Sequence, residues 1–232
     1  MKKIVLIFLI LIAFVTHAQK SMFAKDPIIN LENFDNQRVH WGYFLGFNSY
    51  DFKFDYLSVT EDIEVNTTTG FNVGLVGNLR LHEYINLRFE PGLYYTQRNL
   101  TYPTIEDPFD ALREVKSTYI MFPLLVKFSS KRVGNVRPYL VGGASATLNL
   151  SSNESARDDN YNNRFRMQTW TYDYQLGFGI DFYFEYFKFS PSIRGVFGLT
   201  DELIRDNTSD SPWTGNIDSM KTRGILINFT FH

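Results

Sequence analysis

None of the 232 residues is cysteine, so the chain can form no disulfide, thiolate metal site or lipid-bearing cysteine. Neither sign of charge dominates: 23 Lys and Arg stand against 25 Asp and Glu, with no basic block. That balance excludes nucleic acid as a partner and offers no grip on an anionic membrane surface. Histidine is scarce, at four residues. No apolar run reaches the roughly 20 residues a membrane-crossing helix needs, and no sustained helical period appears. What is abundant is rings, with 22 Phe, 14 Tyr and 3 Trp. So many aromatics exceed what an ordinary soluble core takes up and require a surface that accepts them.

The start, MKKIVLIFLILIAFVTHAQK, has two lysines, an apolar run from Ile4 to Val15, and small residues at the −3 and −1 positions of a cleavage site after Ala18. This is the pattern of a secretory signal peptide over 1–18. Its removal leaves 21 basic and 25 acidic side chains, a mature charge of −4. The length of the remainder suits one domain.

The stretch TWTYDYQLGFGIDFYF alternates from Thr169 to Phe182, with Trp170, Tyr172, Tyr174, Leu176, Phe178, Ile180 and Phe182 on one face and Thr, Asp, Gln and Gly on the other. A period of two marks a strand with unlike faces. The same scan predicts eight strands, near 40–54, 69–81, 85–98, 117–129, 137–150, 168–182, 186–200 and 221–232. Their connections alternate strictly between short (82–84, 130–136, 183–185) and long (55–68, 99–116, 151–167, 201–220). That asymmetry predicts an all-β, eight-stranded antiparallel up-and-down transmembrane barrel over 40–232, with short periplasmic turns and long extracellular loops. Residues 19–39 then form a periplasmic segment. The polar loop 151–166 is expected to lie in solvent.

A soluble barrel would show the same alternation turned inside out, and volume decides between the two. Eight strands enclose space for filling side chains and little more. Seven large residues per strand would overfill that space, so the apolar face is expected outside, against lipid. Trp and Tyr at one end of 170–182 and Phe at the other match an aromatic girdle. The expected inward charges are Arg80, Arg88, Glu90, Lys127, Asp173, Asp181 and Arg194, interlocked as a polar plug because isolated charges in a narrow lumen are costly.

Some outer-membrane barrels are enzymes that use a His-type base near the external rim. Here the mature histidines, His40, His82 and His232, all fall at the periplasmic end, which argues against catalysis. Neither their spacing nor the GFGID segment (177–181) has the form of a metal or nucleotide site, so no cofactor or metal is expected. Asn66-Thr-Thr and Asn99-Leu-Thr match a glycosylation triplet that arises often by chance.

The stretches NFDNQRVHWGYFLGFNSYDFKF (33–54) and GFNVGLVGNLRLHEYINLRFEPGLYYTQRNLTY (70–102) resemble the PorT family of Bacteroidetes outer-membrane barrels. Segments at 119–128, 137–146, 187–199 and 211–231 follow the same pattern in order, so the resemblance covers nearly all of the mature chain. It implies a component of the type IX secretion system, needed for export of cargo such as surface proteases or gliding adhesins, with outer-membrane lipid and other secretion components as partners. No catalytic residue comes with it. The alternatives are a barrel enzyme acting on lipid and a structural or adhesin-like barrel. The family-like Asn33, Phe34 and Asp35 lie before the first strand, where packing within the wall does not explain them. They are expected to dock secretion partners, with a tether or a plug in the periplasmic mouth as the other possibilities.

Overall fold

The computed structural model describes residues 28–59 and 61–232, so the expected leader over 1–18 lies outside the described residues. The strands are β1 (Val39–Tyr56), β2 (Glu64–Thr67), β3 (Thr69–Arg80), β4 (Ile85–Phe89), β5 (Gly92–Thr101), β6 (Leu112–Ser129), β7 (Val136–Asn149), β8 (Trp170–Tyr183), β9 (Lys188–Gly198) and β10 (Ile217–Phe231). Every pairing is antiparallel, and β1 pairs with β10 from Tyr43↔Phe231 to Tyr56↔Ile217, closing the sheet. The ring has eight wall strands, because β2 runs into β3 and β4 runs into β5.

The interruption between β4 and β5 falls at Glu90 and Pro91. Proline has no N–H for the ladder, while its carbonyl still accepts from Leu75 N at 3.0 Å. Several strands run past the lengths expected from sequence, with β6 beginning at Leu112 and β10 at Ile217. Their outer ends rise beyond the apolar band, where outward residues such as Glu114, Lys116 and Lys221 are charged and the hydrophobic alternation is lost. Above Ser49, β1 has no partner on its β3 side. Asp51 Oδ1 accepts from the Phe52 amide at 2.8 Å, which blunts that edge with a charge.

The two faces of the wall are sorted as volume requires. Outward rows include Trp41, Tyr43, Leu45 and Phe47 on β1, Trp170 to Phe178 on β8, and Ile225 and Ile227 on β10, all exposed. Inward on β8 are Thr171, Asp173, Gln175 and Asp181, all buried. The interior is nevertheless not made of small polar groups alone: Phe44, Tyr50, Tyr94, Tyr119 and Tyr139 also point inward and are buried. Phe44 fits because Gly74 and Gly92 leave its ring space, and a Cβ at either position would come within 2.6 Å of it. Large and small inward residues complement one another, so a ring on one strand is offset by a glycine on another.

Loop 151–166 departs from the expectation of a solvent loop. Phe165 and Met167 pack with Phe52, Leu100, Tyr102, Leu203, Trp213 and Met220 into an apolar cluster over the extracellular mouth. Asp206 ties the two long loops together, accepting from Asn160 N at 3.2 Å and from Thr214 Oγ1 at 3.0 Å. A loop this polar in composition is held by a few apolar anchors at its end, and these carry no periodic signal.

Candidate functional site

The inward side chains form a connected interior between two covered mouths. At mid-height Glu90 joins two arginines, with Arg88 Nη1 at 3.1 Å and Arg194 Nη2 at 2.5 Å, and all three residues are buried. Arg88 also donates to Asn78 Oδ1 at 3.0 Å and lies 3.2 Å from His232 Nε2. Arg194 reaches Gln175 Oε1 at 3.4 Å. Nearer the periplasm, Lys127 Nζ lies 2.6 and 2.8 Å from the Asp181 oxygens, Ser190 donates to Asp181 at 2.6 Å, and the ammonium stands 3.8 Å over the Tyr139 ring. Thus five of the seven expected inward charges form ion pairs.

The other two do not. Asp173 is buried but has no cation in contact; it accepts from Thr147 at 2.9 Å and Gln175 at 3.3 Å. Arg80 lies outside the network, at the β3 rim, donating to Asn36 O at 3.3 Å. It sits at the end of its strand, where the wall stops and the side chain can leave the lumen. Five buried cations went unread in the sequence: Arg98, Arg113, Arg137, Arg166 and Lys188. Arg98 and Lys188 share the even parity of Arg88 and Arg194 on continuous wall strands, so the period-two rule contained them. Arg137 is the second residue of β7 and the first of the expected strand, too close to a boundary to assign.

Arg98 lies 3.8 Å over the Phe52 ring and donates to Thr222 Oγ1 at 3.1 Å, while Thr222 donates to Glu202 at 2.8 Å. The threonine hydroxyl thus separates a buried cation from a buried carboxylate. Burial pushes the carboxyl of Glu202, which belongs to the last loop, above its ordinary range, with Arg98 acting in the opposite direction. Beside it is a cavity of about 20 Å³ lined by Tyr50, Tyr119, Thr147, Thr171 and Thr222 among others. That is space for roughly one water.

The periplasmic mouth is covered by the chain's own N-terminal segment. Asp35 pairs with Arg137 at 3.1 Å and accepts from Tyr183 Oη at 2.6 Å. The Phe34 ring meets His40 edge-on at 5.0 Å and lies 4.5 Å from Lys188 Nζ. Asn30 is bonded to Asn135 Oδ1 at 2.9 Å and to Tyr183 O at 3.1 Å. Of the three expected docking residues, Phe34 and Asp35 therefore commit their side chains to the barrel, and only Asn33 faces solvent. The arrangement matches the plug alternative: carboxylate and ring find cationic partners at the mouth, so they are not presented outward. His40 and His232 meet edge-on at this same end, at 5.0 Å, and His82 lies in the β3–β4 turn. Burial, reinforced by Lys188 and Arg88, holds the His232 imidazole well below its ordinary range, so it stays neutral and can accept from Arg88. Among the described residues no group of His, Asp and Glu is placed to hold a metal.

Arginines in the middle, an apolar cluster above and the N-terminal segment below fill the lumen from mouth to mouth. Planar-bilayer recordings of the refolded protein should show no stable conductance. Reproducible open-channel steps at low voltage would contradict the filled interior.

The sequence profile of a family described as outer membrane protein beta-barrel domain matches residues 18–203. No curated protein sequence matches the chain. Among solved structures it is similar to OprG of Pseudomonas aeruginosa at 14% identity, over 83% of this chain and 92% of that one, with a TM-score of 0.42. Neisserial surface protein A is similar at 8% identity, over 84% and 98%, with a TM-score of 0.44. AlkL, solved in lipid bilayers, is similar at 13% identity, over 90% and 93%, with a TM-score of 0.46. A closed eight-stranded ring with rings and aliphatics outside and charges within is built for the outer membrane, and with the profile matching residues 18–203 the chain belongs to the outer membrane protein β-barrel domain family.

Proposed function

We propose that this barrel is a non-enzymatic component of the type IX secretion system, similar to the PorT family, and that it is needed for export of cargo such as surface proteases or gliding adhesins. The observation that carries the reading is the ordered resemblance of 33–54 and 70–102, followed by matching segments through 211–231. The geometry is compatible with it in one respect: cargo has no route through a filled eight-stranded lumen, so the barrel contributes through its surfaces and mouths. Its partners in this reading are outer-membrane lipid and other parts of the secretion machine.

Deleting the gene and fractionating the cells tests the proposal. Cargo bearing the C-terminal export signal should accumulate in the periplasm, and a plasmid copy should restore export. Normal export combined with altered lipid A would favour a lipid-acting enzyme. Normal export combined with lost surface attachment would favour an adhesin-like barrel.

A further inference from the structure

The seat beneath Phe34 and Asp35 carries more positive charge than its present occupant satisfies. From the periplasmic mouth to mid-lumen, five buried cationic side chains, Arg88, Lys127, Arg137, Lys188 and Arg194, face three carboxylates, Glu90, Asp181 and Asp35. Glu90 serves two arginines, Asp181 is held by Lys127 and Ser190, and Asp35 by Arg137 and Tyr183. Lys188 is left without a contact ion pair, Asp181 and Asp35 attracting it only from farther off. Among the described residues no carboxylate lies within ion-pairing distance of it; its ammonium is 3.5 Å from His40 Nε2 and is covered by the Phe34 ring. A buried ammonium without a carboxylate in direct contact is costly, and a phenyl face compensates for only part of that cost.

The cover itself is slight. Phe34–Asn36 is a single 3₁₀ turn with no buried residue, and no residue before Val39 pairs with the wall as a strand. A small element therefore occupies a strongly charged, aromatic-lined seat. We propose that the periplasmic mouth is an exchangeable receptor for an aromatic–acidic segment of a partner protein, which the chain's own Phe34-Asp35 fills in the partner's absence. The partner's ring takes the place of Phe34 over Lys188 and His40, and its carboxylates take Arg137 and Tyr183 and supply Lys188 with the contact ion pair it lacks. The inference stands on the mouth alone and does not depend on the secretion assignment.

The test uses the full chain with a protease site inserted after Gln37, folded in detergent first and then cut and washed, so that the barrel forms with its segment in place. The probe is a fluorescein-labelled peptide with the sequence of residues 31–38, LENFDNQR, read by anisotropy at physiological ionic strength. The cut barrel should bind it at least about tenfold more tightly than the uncut one, whose own segment competes. Changing Phe to Ala or Asp to Asn in the peptide, or Arg137→Gln or Lys188→Gln in the barrel, should each weaken binding about tenfold, as expected for loss of a charge-assisted or cation–π contact. Heat-modifiable mobility confirms that each barrel variant is folded. Octaglutamate serves as the control for bare charge. No binding to the folded, cut barrel, binding unmoved by these changes, or octaglutamate binding as well as the peptide would each overturn the proposal.

Discussion

Glu90→Ala should destabilise the folded barrel by about 3–5 kcal/mol, the cost of leaving buried charge without its partner. The upper end of that range is expected, because the carboxylate serves Arg88 at 3.1 Å and Arg194 at 2.5 Å and is itself fully buried. Its loss strands two guanidinium groups at once. Arg194 would keep the long contact to Gln175, and Arg88 those to Asn78, His232 and the Tyr139 ring. Replacing the whole group, as in Arg88→Met, Glu90→Leu and Arg194→Met together, should cost less than the single change, since no unpaired charge remains. Urea titrations of refolding into lipid vesicles measure both. A near-zero effect for Glu90→Ala would mean that water reaches the lumen and solvates the arginines.

Leu176→Arg should cost about 2–4 kcal/mol in the same titration, and Tyr172→Arg only about 0–1, because a charge on the lipid face is penalised by depth. Leu176 sits mid-way along the exposed row of β8, and Tyr172 near its extracellular end. Equal costs would place the apolar band elsewhere on the wall. An inward control that the alternation reads as mild, Gln175→Arg, is not mild in the folded protein. Gln175 is fully buried and lies between Arg194 and Asp173, so a longer cation there meets both crowding and like charge. It should cost as much as Leu176→Arg or more, for a different reason.

The strand count, the closure order and the choice of outer face were legible because they depend on local, repeating constraints. A strand inverts its side chains at every residue, and a closed wall of eight strands cannot hold seven large groups per strand inside. Trp170 to Phe178 on one face and Thr171 to Gln175 on the other therefore announce lipid and lumen before any coordinates are known. The same rule carried Arg88, Glu90, Lys127, Asp181 and Arg194 inward, and it contained Arg98 and Lys188, which share that parity. Where polar residues occupy both faces, as in 112–117 of β6, the signal vanished and the strand ends were missed.

What the chain alone could not decide was which inward groups meet. Glu90 and Arg194 are 104 residues apart and Asp35 and Tyr183 148 apart, and their contacts depend on barrel shear and on where the N-terminal segment folds back. Arg80 has the parity of a lumen residue yet its side chain leaves the lumen at the rim, because it ends β3 where the wall stops. Phe34 and Asp35, which look like free docking groups in the sequence, become the cover of a cationic mouth, since the complementary charges come from β6–β7 and β8–β9 on the far side of the ring. Periodicity acts over two residues and is written in the chain; charge pairing acts across the closed ring and exists only once eight strands have brought distant positions together.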